Sequence, residues 1–234
     1  MGTETAKTKP DTAKWAEHAA LQHEIGEVAE HEALRENGEP IVKITAADGN
    51  VYVLKGVPAE GREGFRHLTG DGLERQGQWC GAMADAGLPL MRRRRSRAGR
   101  YFAVLEEGGS RWLTTLEDFA PGGEFVCREI GDIRRIGRLL GRMHAESERA
   151  GILFGHGTSW SLFGGNASEE LGPYDENEKG FDEIAGLLRF AGCDGGLLER
   201  IGQLYTSKRT ALRELWKSLP QAAVQGDFCP YNII

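Results

Sequence analysis

A chain of 234 residues can bury a substantial core as one large domain or two lobes around a cleft, so it needs no disulfide or metal staple. Lys and Arg number 29 against 35 Asp and Glu, and the net charge of −6 argues against a general nucleic-acid binder. Cys80, Cys127, Cys193 and Cys229 form no C-x-x-C pair, Met1–Lys14 has no apolar centre, and no run of about 18 apolar residues occurs. A cytoplasmic protein with reduced thiols, no signal peptide and no membrane span is expected.

Residues 1–14 read as a disordered tail. From Trp15 to Leu34 the apolar positions Trp15, Ala19, Leu21, Ile25, Val28 and Ala29 predict one amphipathic helix. Its His18, His23 and His31 share no i, i+4 spacing, which places them on a helix face and not around a metal. Ile41–Thr45 and Asn50–Lys55 read as strands joined by the Ala47-Asp48-Gly49-Asn50 turn, with Lys55 at the end of the second strand. No G-x-G-x-x-G and no G-x(4)-G-K-[ST] occurs, so neither a dinucleotide fold nor a Walker loop is supported.

A helix through Leu73, Trp79, Met83 and Ala84 is expected to stop at Gly87, before Pro89. Glu74 on this helix is a candidate partner for Lys55, with Glu63 as the rival. Arg92–Arg95, Arg97 and Arg100 form a basic run without interleaved aromatics, read as a solvated loop in preference to a nucleic-acid patch. Arg100–Leu105 and Arg111–Leu116 predict a second hairpin across Glu107-Gly108-Gly109-Ser110. The Pro121-Gly122-Gly123 cluster marks the change from strands to helices. Ile130, Ile133, Ile136, Leu139, Leu140 and Met143 then predict a long amphipathic helix with His144 on its apolar side. A Gly- and Asn-rich loop follows over residues 155–180, then a short helix from Phe181 to Gly192 and a long one from Leu197 to Leu219, closed by Pro220.

The last ten residues carry the strongest chemical signal. Asp227 and Asn232 stand five apart in Gln225-Gly226-Asp227-Phe228-Cys229-Pro230-Tyr231-Asn232-Ile233-Ile234. That is the Asp-to-Asn spacing of a kinase catalytic loop, where the Asp accepts the proton of the attacking hydroxyl and the Asn holds Mg²⁺. In that setting Lys55 reads as a phosphate-neutralising lysine; by itself it reads as a strand-end lysine reaching solvent.

Tyr-Val-Leu-Lys, Ala-Gly-Leu-Pro, Glu-Asp-Phe-Ala-Pro-Gly, Ile-Gly-Arg-Leu-Leu-Gly-Arg-Met-His-Ala and Val-Gln-Gly-Asp-Phe-Cys-Pro-Tyr-Asn-Ile-Ile follow in this order. The succession resembles the aminoglycoside phosphotransferase and choline kinase-like family over most of residues 32–234. The resemblance implies an α+β, two-lobed protein-kinase-like fold: a β-rich N-lobe over 15–119 and a helical C-lobe over 120–234. It implies transfer of a phosphoryl group from ATP, with Mg²⁺, to the hydroxyl of a small aminoglycoside-like or choline-like acceptor. No nucleic-acid or membrane partner is implied.

By position, Asp227 would be the general base, Asn232 a Mg²⁺ ligand, Lys55 the phosphate lysine and Glu74 its partner. Glu117 to Phe119 would form the hinge that offers backbone groups to the adenine. Two departures shape the expectation. Gln225 stands where the family carries His, and the family's second metal-binding Asp lies downstream of the Asn, beyond Ile234. The expected C-lobe is therefore incomplete, with exposed apolar helix surface and weak Mg-ATP binding. The alternative is a non-catalytic kinase-like protein that binds a ligand or partner.

Overall fold

The first helix, α1 (Thr12–His23), starts where Asp11 turns its carboxylate back onto the N–H groups of Ala13 and Lys14, at 3.2 and 3.3 Å. This computed structural model describes residues 11–35, 39–60, 69–123, 125–153, 181–216, 218 and 222–223. Residues 11–14, expected in a disordered tail, thus cap and open a helix. The helix is also shorter than its periodicity implied. Glu24 adopts a left-handed conformation, and the chain re-enters as strand β1 (Val28–Arg35). Ala, Glu and Leu favour helix in isolation, but the ladder offered by β2 (Ile41–Ala46) overrides that preference. Facing solvent on the sheet edge, β1 is charged, and Glu32 pairs with Lys43 across the strands at 2.8 Å.

The Asp48-Gly49 turn, with Gly49 at φ 85°, carries β2 into β3 (Val51–Pro58) as expected. β3 runs three residues past Lys55, which therefore sits inside the strand and not at its end. Helix α2 (Gly70–Asp85) is capped by Thr69 Oγ1 and closed at Gly87. Next come β4 (Arg93–Arg94), β5 (Ala103–Glu107) and β6 (Ser110–Asp118). The sheet is antiparallel in the order β1-β2-β3-β6; β5 pairs with the first half of β6 and β4 with the second.

Strand alternation divides this sheet into two faces. Val42, Ile44, Tyr52, Leu54 and Leu116 form a core with Trp15, Ala16 and Ala19 of α1. Trp15 is fully buried; its Nε1–H donates to Glu107 at 2.5 Å and its ring meets Trp112 edge-on. The other face carries Lys43, Val53, Lys55, Thr115 and Glu117.

After Asp118 no further strand occurs among the described residues. Helix α3 (Ile130–Ala150) packs Met143 against Trp79, Met83 and Leu88 of the α2 region. Trp79 Nε1–H donates to the buried Ser147 Oγ at 2.7 Å. Ser147→Ala removes that acceptor and should lower stability by about 1–2 kcal/mol, read as a shift in the urea midpoint. His144, expected in the core, is exposed: it lies one position from Met143, about 100° round the helix. Ile130 and Ile133 of the expected apolar stripe are also exposed.

The chain divides into two compact units, Met1–Gly155 with Ala222–Ile234 and His156–Gln221. In the second, α4 (Phe181–Phe190) stops at Gly192, and Asp194 caps α5 (Gly195–Trp216) through the Leu197 N–H. Phe181 stacks on Tyr205 at 4.8 Å, with Ala185 and Leu198 buried. Leu197, Leu204 and Leu215 are half exposed and Phe190 almost wholly so. The observed class is α+β, with all described strands before α3 and only helices from α3 onward, as the sequence indicated. No helix among the described residues is long and apolar enough to cross a membrane.

Candidate functional site

Lys55 and Glu117 meet because of strand register. Lys55 lies opposite Thr115, so period-2 alternation brings Glu117, two residues further along β6, to the same face as Lys55. The Lys55 ammonium lies 2.6 Å from Glu117 Oε2. The other oxygen, Oε1, accepts from Arg93 Nε at 3.1 Å, and Arg93 stands directly across from Glu117 in the β4–β6 ladder. Arg93 also donates to the Leu73 carbonyl of α2 at 3.3 Å, which ties the helix to the sheet through one guanidinium.

Exposure grades across this cluster. Arg93 is 11% exposed, Glu117 13% and Lys55 45%. Burial pushes the Glu117 carboxyl up, but Lys55 and Arg93 together outweigh it and hold the group below the usual carboxylate range. Two cations on one carboxylate leave a net positive charge, and Lys55 presents it to solvent. An ammonium has three donors, and Glu117 takes one. An anionic group reaching this face meets a cation already held in place. Cys80 of α2 feels the same three charges, and burial raises its thiol, so it stays protonated beside them.

Glu74 is not the partner of Lys55. Its Oε2 accepts the Tyr101 N–H at 2.8 Å, and Arg95 and Arg100 lie 3.7 Å from its carboxylate. Glu74 therefore ties α2 to the loop before β5, and the lysine is held from within the sheet. The hinge expectation changes at Phe119. Its N–H donates to the Val51 carbonyl at 2.9 Å, which commits that donor to β3; its ring receives Lys43 at 5.2 Å from the centroid. Glu63, Gln225, Asp227 and Asn232 lie outside the described residues. Among the described residues, no group of three or more His, Cys, Asp or Glu could hold a metal ion.

The arginine run is solvent-exposed as expected, except at Arg93, and it is also ion-paired along its length. Arg92 pairs with Asp85, Arg94 with Asp118, Arg97 with Glu24, and Arg93, Arg95 and Arg100 as described. Arg94, Arg95 and Arg100 also lie over the rings of Tyr52, Tyr101 and Phe102, so cation–π contacts add to the pairing. Arg93 was invisible as a site residue because it is one of four identical neighbours. The Lys55–Glu117 contact was accessible to a register argument, had β3 been paired with β6.

No family model matches this chain, and no curated protein matches it. Among solved structures, the chain is similar to an amicoumacin kinase, hAmiN, in complex with AMP-PNP, Ca²⁺ and Ami, at 15% identity and a TM-score of 0.48. The similarity covers 66% of this chain and 45% of that one, so the chain spans less than half the length of that structure.

Proposed function

We propose that this chain is part of an ATP-dependent phosphotransferase acting on a hydroxyl group of a small molecule. The observation that carries the reading is the half-exposed Lys55 ammonium, held 2.6 Å from Glu117 on the sheet face opposite α1. Phosphoryl transfer is dominated by positioning and charge neutralisation, and a fixed, half-exposed cation suits the phosphates of ATP. Asp227 and Asn232 supply, in sequence, the spacing of a base and a metal ligand. Lys55 would hold the nucleotide phosphates and Asn232 the Mg²⁺. That ion would neutralise charge on the phosphate oxygens. Asp227 would take the acceptor's hydroxyl proton.

The test is ADP release by the full chain with Mg²⁺, ATP and a panel of aminoglycosides, choline-like alcohols and homoserine. Asp227→Asn is expected to lower turnover by about a thousandfold or more. Turnover that survives this change overturns the role given to Asp227. A second reading, a kinase-like protein that binds without catalysis, is favoured by Gln225 where the resembled family has His. No ADP release from any acceptor, with thermal stability unchanged by ATP and Mg²⁺, would count against the phosphotransferase.

A further inference from the structure

We infer that Glu117, clamped by Arg93, is the positioning residue for the Lys55 ammonium. The inference rests on the phosphotransferase reading for its purpose, but its geometry stands alone. Each Glu117 oxygen has its own cation, Oε2 with Lys55 at 2.6 Å and Oε1 with Arg93 at 3.1 Å. A carboxylate held at both oxygens has one orientation, and that orientation aims the lysine. The anchor is the less exposed side of the pair: Arg93 is fixed by its cross-strand position opposite Glu117 and by its bond to the Leu73 carbonyl. Glu74 cannot take over, because the Tyr101 N–H, Arg95 and Arg100 engage its carboxylate.

The consequence is a lysine whose position is set by three strands. Arg93 comes from β4, Glu117 from β6 and Lys55 from β3, all in one sheet. A movement of α2 reaches Lys55 through the Arg93–Leu73 bond and not through a glutamate carried on the helix.

Glu117→Gln distinguishes this arrangement from a merely structural contact. An amide has one acceptor oxygen and one NH₂ donor. The oxygen stays with the less exposed Arg93, and the NH₂ is left facing the Lys55 ammonium, which is released. Two readouts on the full-length chain follow. Acylation of the Lys55 amine by N-hydroxysuccinimidyl acetate, read by peptide mass spectrometry, should rise several-fold in Glu117→Gln and by an intermediate factor in Glu117→Asp. It should be unchanged in Glu74→Gln. The dissociation constant for ATP with Mg²⁺, read by calorimetry, should weaken about tenfold in Glu117→Gln, and the same change should add nothing in a Lys55→Met background.

Unchanged acylation in both Glu117 variants, or a Glu74→Gln effect as large as theirs, overturns the inference. So does an equal Glu117→Gln loss of ATP affinity with and without Lys55. If the unaltered chain does not bind ATP, the phosphotransferase reading fails, while the acylation comparison still decides which carboxylate holds Lys55. Should Glu117→Gln not fold, Glu117→Asp keeps the charge and carries the same comparison.

Discussion

Gly56→Ala is expected to lower the stability of the sheet and its covering helix by about 3 kcal/mol. Gly56 is a buried residue of β3, beside Lys55, on the face that α1 covers. A Cβ built there would lie 2.3 and 2.5 Å from two ring carbons of Trp15. Such contacts must be relieved by moving either the strand or the indole. The indole has little freedom: it is 0% exposed, its Nε1–H is anchored on Glu107 at 2.5 Å, and the Trp112 ring stands edge-on at 5.7 Å. The strand is paired on both sides, with β2 and β6. The measurement is urea denaturation followed by circular dichroism. The expected result is a lower midpoint with an unchanged slope, partly restored when Trp15→Leu makes room. A Gly56→Ala chain as stable as its parent would rule out the described seating of α1 on the sheet.

Acid should destabilise the same region well above the range in which ordinary carboxylates titrate. His18 is on the buried side of α1, its Nε2 2.9 Å from Thr114 Oγ1, and the Thr114 hydroxyl donates to the Ala103 carbonyl at 3.3 Å. With that proton committed, His18 Nε2–H is the donor. Burial, aided by repulsion from His23, lowers its pKa from 6.5 to about 4. His23 is buried with neither ring nitrogen hydrogen-bonded; burial lowers its pKa too, opposed by the nearby backbone of Arg95 and Arg94, which meets no hydrogen-bond geometry. The unfolded chain binds protons at these groups more readily than the folded one. Stability is therefore whole above pH 6.5 and falls as pH drops from 6.5 toward 4. For His18 the loss is about 3 kcal/mol over that window. Urea midpoints measured across it should fall, and His18→Gln should flatten the dependence. An equally steep fall in His18→Gln would place the acid sensitivity elsewhere.

Much of the secondary structure was legible because its signals are local. The Asp48-Gly49 and Gly108-Gly109 turns located both hairpins, and apolar spacing located α2, α3 and α5. The failures share one cause. Val28–Arg35 carries helix-forming residues and became a strand, because the open edge of β2 offered a hydrogen-bond ladder that no local scale contains. His144 looked like a core residue because the apolar stripe passes beside it, but α2 covers only the side that holds Met143 and Ser147. The ion pairs of the arginine run were hidden because its central partners lie far along the chain: Arg93 meets Glu117 and Arg94 meets Asp118, each 24 residues away.

The candidate site divides in the same way. Residue type and spacing, properties of the sequence alone, singled out Lys55 and the Asp227–Asn232 loop, together with the change from a strand-rich to a helical region; the family resemblance added the Glu117–Phe119 segment. Only the tertiary structure decided which carboxylate meets the lysine. Glu74 and Glu117 are equally acidic on paper, and 62 residues separate Lys55 from Glu117. The pairing of β3 with β6, which sets Lys55 opposite Thr115, puts Glu117 on the lysine's face, and β4 lays Arg93 across from it. Strand register is a property of two segments together, and a shift of one residue would have turned Glu117 to the α1 side.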